Sequence, residues 1–196
     1  MLPILKRVGI GIALATILVI AVGFALPSSY TISRAVTINA TPARIHTFTG
    51  DLEKWPDWTP WATADPSIVI SYGDTTEGVG AHQSWTGNSG GGELTLTRSD
   101  PAWGVAYDMN MDHGKYISEA TMVYENAGSA TEVIWTMTGE NGKNPFSHYF
   151  GLMMDPMVGP MFEDGLNRLK LEAEKSDPTA GADSTAIGGT TDSPLE

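Results

Sequence analysis

An α+β domain, a seven-stranded antiparallel sheet packed on a long C-terminal helix and preceded by one transmembrane helix, is encoded here on three grounds. Residues 8–26 (VGIGIALATILVIAVGFAL) carry no charge and follow Lys6 and Arg7. From about residue 67 to 138 apolar side chains recur with period two between turn-forming clusters. After Asn144-Pro145 the period changes to helical spacing and holds to about residue 175.

The apolar run sets the protein's location. An uncharged helix of this length rises roughly 28 Å, close to the ~30 Å hydrocarbon core of a bilayer. The apolar region of a signal peptide is usually about 7–15 residues and ends in a small-x-small cleavage site. Here the run is longer, and the best such site, Ala21-Val22-Gly23, lies inside it. An uncleaved anchor is therefore expected, with a secreted or periplasmic domain after signal cleavage as the alternative. Lys6 and Arg7 keep the N-terminus cytoplasmic under the positive-inside rule. The expected organisation is a short cytoplasmic segment (1–7), an anchor (8–26), one extracytoplasmic domain (29–175) and a disordered acidic tail (176–196). The tail, SDPTAGADSTAIGGTTDSPLE, has no aromatic residue and too little apolar surface to offset the entropy of ordering. The chain has no cysteine, which suits either side of the membrane.

Within the domain, residues 30–39 (YTISRAVTIN) alternate and read as a first strand, with Ile32, Ala35 or Val36, and Ile38 inward. Thr41-Pro42 supplies an N-cap and a first-turn proline for a short helix, with Ile45, Phe48 and Leu52 on one face. In WPDWTPW (55–61) two prolines forbid a regular element, so Trp55, Trp58 and Trp61 are expected to pin a rigid corner against the sheet edge. Strands follow over 67–72, 79–86, 93–99, 103–111, 116–125 and 131–138, joined by short turns, which argues an antiparallel meander. Trp103, Val105, Tyr107, Met109 and Met111 share a greasy face; Val133, Trp135 and Met137 share another. The last helix holds Pro156 and Pro160 and is expected to kink or break there.

Charge excludes one class of function. With 11 Lys+Arg against 23 Asp+Glu, a formal charge of −12, the chain repels polynucleotides and anionic headgroups alike. No nucleic-acid partner is expected, and no docking on the membrane through a basic patch.

The anchor, the passage RAVTINATPARIHTFTGDLEKWPDWTPW, the segment GVGAHQSWTG and the ending NPFSHYFGLMMDPMVGPMFEDGLNRLK together resemble one family. It is the polyketide cyclase/dehydrase and lipid-transport branch of the START-like helix-grip (SRPBCC) superfamily, in its membrane-anchored bacterial form. The resemblance implies that the sheet grips the C-terminal helix around a hydrophobic cavity. It implies no particular reaction, since a fold hosts many functions.

Chemistry is sparse. None of His46, His82, His113 and His148 pairs with another at metal-ligand spacing, so no metal site and no cofactor are expected. His46, His82 and His113 read as solvated, while His148, beside Tyr149 in the first turn of the last helix, is best placed to reach a cavity mouth. With Tyr107 it completes the weak set of proton-moving candidates: His148, Tyr107 and Tyr149. No nucleophile elbow, P-loop or dinucleotide fingerprint is present, and the strand acids fall on outward positions. The apolar cluster is more telling. Met153, Met157 and Met161, with Met154, form a deformable wall on the helix, methionine being flexible and polarizable. Opposite them stand Trp85, Tyr107, Met109, Met122, Trp135 and Met137, an apolar lining with few polar handles, as small-molecule sites show. The expected function is membrane-anchored binding of a hydrophobic small molecule, a lipid or polyketide-like compound. The alternatives are a metal-free cyclase, dehydratase or hydrolase acting on a cavity-bound ligand, and a cell-envelope interaction module whose protein partner the sequence does not name.

Overall fold

The structure, a computed structural model, describes residues 2–175 apart from 113, 115 and 143. The expected tail and His113 lie outside the described residues. The chain opens with helix α1 (Leu2–Ala25), long and apolar enough from Lys6 onward to cross a bilayer. Strand β1 (Ser29–Ile38) follows almost at once. Helix α2 (Pro42–Thr49) begins as expected, Thr41 accepting a hydrogen bond from the Arg44 amide. A single 3-10 turn (Leu52–Lys54) leads into two one-turn helices, α3 (Trp55–Trp58) and α4 (Trp61–Ala64). The prolines thus permit helix in single turns, because each sits where no intrahelical donor is required.

Six strands complete the sheet: β2 (Val69–Tyr72), β3 (His82–Thr86), β4 (Gly92–Asp100), β5 (Gly104–Met111), β6 (Tyr116–Ala127) and β7 (Ala130–Glu140). Their order is β1-β7-β6-β5-β4-β3-β2, every pair antiparallel. The meander is as expected, and β1 joins it beside β7. Alternation is cleanest in β7, where Thr131, Val133, Trp135, Met137 and Gly139 are buried and their neighbours are not. In β1 the inward set is Ile32, Val36 and Ile38, Ala35 being exposed.

Helix α5 (Pro145–Glu174) closes the domain, with Asn144 accepting from the Phe146 amide as its cap. The expected interruption does not occur: thirty residues stay helical through Pro156 and Pro160. Both rings are exposed, so the carbonyls that lose an N–H partner, at Leu152 and Pro156, lie on the side where water replaces it. The helix lies across the sheet in a helix grip. Its two halves are unequal. Gly159, Phe162, Gly165, Leu166, Leu169 and Ala173 are buried in the second half, and only His148 in the first.

Candidate functional site

Register places each expected lining residue. Cross-strand partners face the same side of a sheet, so two rows can be followed across it. The deeper row runs Leu96, Tyr107, Ala120, Met137 and Ile32, all buried. Beside it Val105, Met122 and Trp135 continue the same face. The second row runs Tyr72, Gln83, Leu94, Met109, Ser118, Gly139 and Tyr30 through all seven strands.

The deep half is occupied by the protein's own rings. Trp135 stacks on Phe162 with centroids 3.9 Å apart and planes 6° from parallel. Trp58 meets Trp135 edge-on at 5.5 Å, and Trp55 meets Tyr107 at 5.3 Å. Trp55 and Trp58 donate their indole N–H groups to the carbonyls of Thr49 and Phe48, which fixes both rings. The tryptophan corner is therefore not at the sheet edge. It enters the grip and packs on the interior strands β5 and β7, filling the hollow expected between sheet and helix. Two open depressions lie outside this core. One, about 250 Å³, is bounded by Pro60, Thr63, Ala64, Pro160, Met161 and Asp164. The other, about 260 Å³, lies between β1 and α5 beside Tyr30, His148, Gly151, Leu152 and Asp155.

The shallower row differs in character. Met109 is half-buried, as is Trp85 one row further out, and Gln83 is 3% exposed with no hydrogen-bond partner for its Oε1 atom. Ser118 is buried beside Tyr30, whose phenol burial pushes above its ordinary value while a hydrogen bond with Ser118 opposes the shift. Only the β6–β7–β1 end of this row lies near the first half of α5: Phe150 approaches Tyr116 at 6.2 Å, and Leu152 and Gly151 stand next to Tyr30. The methionine wall is only partly realised. Met153 and Met157 are more than half exposed, Met161 is half-buried outside the core, and Met154, with Val158, is the one that packs inward.

The proton-moving candidates are each held elsewhere. His148 is buried, but its Nδ1 lies 2.8 Å from the Gly23 carbonyl and its Nε2 3.0 Å from that of Gly142. Tyr149 donates to the Val19 carbonyl at 2.7 Å. Tyr107 accepts from the Trp135 indole at 3.0 Å, and burial pushes its phenol far up. Each of these groups thus has a hydrogen-bond partner within the chain, and His148 also borders the depression beside Tyr30. His46 is not solvated as expected. It is half-buried, its ring nitrogens 3.3 Å from the Tyr124 hydroxyl and 3.0 Å from that of Ser99. His82 sits half-buried against Thr95.

Two residues escaped the sequence reading. Asp65, a buried carboxylate, accepts from the Ser67 amide and hydroxyl and the Ser89 amide, which hold it well below the usual carboxylate range. Asp-x-Ser before a strand was the local signal. Arg34 spans the proline segment of α5: its Nε donates to Glu163 at 2.6 Å and its Nη1 to Asp155 at 2.8 Å. Between them, Gly159 lets the guanidinium lie against the helix backbone; a Cβ there would overlap Nη2. Nothing local in the sequence pairs residues so far apart.

Comparison with known proteins gives the family. The sequence model of the family described as polyketide cyclase/dehydrase and lipid transport matches residues 29–174. No curated protein matches the chain. Among solved structures, the chain is similar to a solution structure from Thermobifida fusca (20% identity, 73% of this chain and 92% of that one, TM-score 0.55). It is also similar to a Thermus thermophilus protein (17%, 73% and 96%, TM-score 0.52) and a Chromobacterium violaceum protein (14%, 74% and 98%, TM-score 0.52). At these identities the likeness is one of fold.

Proposed function

The chain belongs to the polyketide cyclase/dehydrase and lipid transport family, and from that membership we propose that it is a membrane-anchored, non-catalytic binder of a hydrophobic small molecule. The ligand, of lipid or polyketide-like chemistry, is held between the shallow row of the sheet and the first half of α5. One observation carries this location: the unpartnered Oε1 of buried Gln83, set in a row with Leu94, Met109 and Ser118. A buried polar atom without a partner costs roughly 1–3 kcal/mol, and a ligand hydroxyl or amide donor removes that cost. Each ligand CH₂ buried against Leu94 and Met109 adds about 0.8 kcal/mol.

Admission requires motion, because the grip is closed. The first half of α5 suits that role. It contributes one buried side chain, its backbone ladder is weakened at Pro156 and Pro160, and beyond its contacts with α1 it is tied to β1 by one exposed ion pair, Arg34 with Asp155. Swinging residues 145–157 outward uncovers the β1–β7–β6 end of the row that holds Gln83, from which a ligand reaches along it toward that residue, and leaves the tryptophan-filled deep half intact. Trp85, Met109 and Met154 reshape around the guest; Tyr107, Met122, Trp135 and Met137 form the floor. The membrane reading of α1 puts this opening beside the ligand's natural solvent.

The test is uptake of a fluorescent fatty acid by delipidated protein. A saturable titration with a change in Trp emission is expected, weakened several-fold in Gln83→Leu. Absence of a saturable signal across fatty acids, isoprenoids and phospholipids overturns the proposal.

A further inference from the structure

Four exposed apolar side chains on α5 stand in a single stripe that the domain leaves uncovered. Phe146, Phe150, Met153 and Met157 are 56%, 44%, 53% and 54% exposed. Their spacing, i, i+4, i+7 and i+11, places them within one narrow sector of the helix. Apart from the buried His148, the segment from Asn144 to Met157 carries one acidic or basic side chain, Asp155, and Arg34 pairs with it. A contiguous apolar stripe of this kind is out of place facing water on a chain of net charge −12.

Its position relative to α1 identifies what covers it. Pro145 packs on Gly23 so closely that a Cβ at residue 23 would lie 2.7 Å from the Pro145 carbonyl oxygen. His148 bonds Gly23 and Tyr149, adjacent to Phe150, bonds Val19. Val19 lies six residues before the end of α1, about 9 Å along its axis. The first turns of α5 therefore stand beside the last two turns of the apolar helix. If α1 is immersed to its end, those turns cannot stand clear of the bilayer.

We propose that the Phe146–Phe150–Met153–Met157 stripe of α5 is a second membrane contact, lying in the bilayer interface beside the anchor. The occupant is the lipid surface in which α1 itself resides. This inference rests on the membrane-spanning reading of α1 and not on ligand binding. Attachment is through apolar burial to a depth of roughly 5–10 Å, as for interfacial helices, and needs no anionic lipid. It also orients the domain: the α5 half proposed to open is the half laid on the bilayer, so a ligand passes from the membrane without crossing water.

The absence of cysteine makes the test direct. Single cysteines are placed by Leu14→Cys, Met153→Cys, Met157→Cys and Leu171→Cys in the full chain, spin-labelled, and reconstituted into phosphatidylcholine vesicles; circular dichroism checks the fold. Leu171, 66% exposed on the far half of α5, is the aqueous reference, and Leu14 the lipid one. The ratio of collision rates with oxygen and with a water-soluble nickel chelate should be several-fold higher at 153 and 157 than at 171, at low and high salt alike. Equal ratios at 153, 157 and 171, with Leu14 still lipid-exposed, overturn the inference and leave the anchor standing. Labels at 153 and 157 shielded from both reagents, or broadened by a neighbouring label, mean a protein partner or a second copy and overturn it as well. A nickel-accessible label at 14 overturns both the anchor and the stripe, whatever the fatty-acid titration shows.

Discussion

His46 sits among the Tyr124 and Ser99 hydroxyls with its imidazole half out of water. Burial holds its pKa below the ordinary value near 6.5, more strongly than Asp100 and Glu77 raise it. The unfolded chain therefore takes up a proton more readily than the folded one. Stability is at its full value above the unfolded pKa and falls as pH drops through the lower folded value. Thermal unfolding of the full chain in detergent at pH 7.5 and pH 5.0 should show a loss at the lower pH that shrinks in His46→Gln. An undiminished loss would place the acid sensitivity elsewhere, though not at Asp65. Its depressed pKa also favours the folded state at neutral pH, but that contribution is lost only below the ordinary carboxylate range.

Helix α5 is one element with two mechanical halves, and Arg34 is what joins them. Its guanidinium reaches Asp155 before Pro156 and Glu163 after Pro160, crossing the helix at Gly159. Gly159→Ala separates two effects of opposite sign. On propensity alone alanine stabilises a helix interior by about 1 kcal/mol over glycine. On packing, the added methyl displaces Arg34. The packing effect should be local to the first half, because the Cβ displaces the end of the Arg34 side chain and with it the Asp155 pair. Hydrogen exchange is expected to speed up over residues 145–157 and to change little over 162–173. Uniformly slower exchange along α5 would show that Arg34 simply moves aside.

At the scale of the molecule, the core is a tryptophan-lined plug between the sheet and the second half of α5. Trp55, Trp58, Trp135 and Phe162 are each 2% exposed or less and touch in sequence from α3 through β7 to α5. Phe162→Ala should cost ~3–5 kcal/mol in urea unfolding, the range for truncating a ring in a well-packed site. A cost well below it would mean that the deep half tolerates a void, returning the ligand to the centre of the grip.

Composition and periodicity were enough for the antiparallel meander of the last six strands, the two proline-capped helices and the apolar N-terminal helix, and the motifs shared with the family were enough for its resemblance. Those features follow from local rules: alternation sets faces, and a proline after a capping residue starts a helix. The seven-stranded meander was legible because its turns are short and its late strands alternate cleanly. The contents of the grip were not. WPDWTPW reads as a rigid corner wherever it lies, and only the packed chain shows that the corner turns inward and occupies the space assigned to a guest. The methionines of α5 are spaced for either face of a helix, and it took the docking of α5 on β1 and α1 to turn Met153 and Met157 outward and Met154 inward. Arg34 and the Gln83 row depend on partners far apart in the chain, which no local pattern encodes. Periodicity is a property of neighbours, whereas occupancy of a hollow depends on how much volume distant segments bring to it.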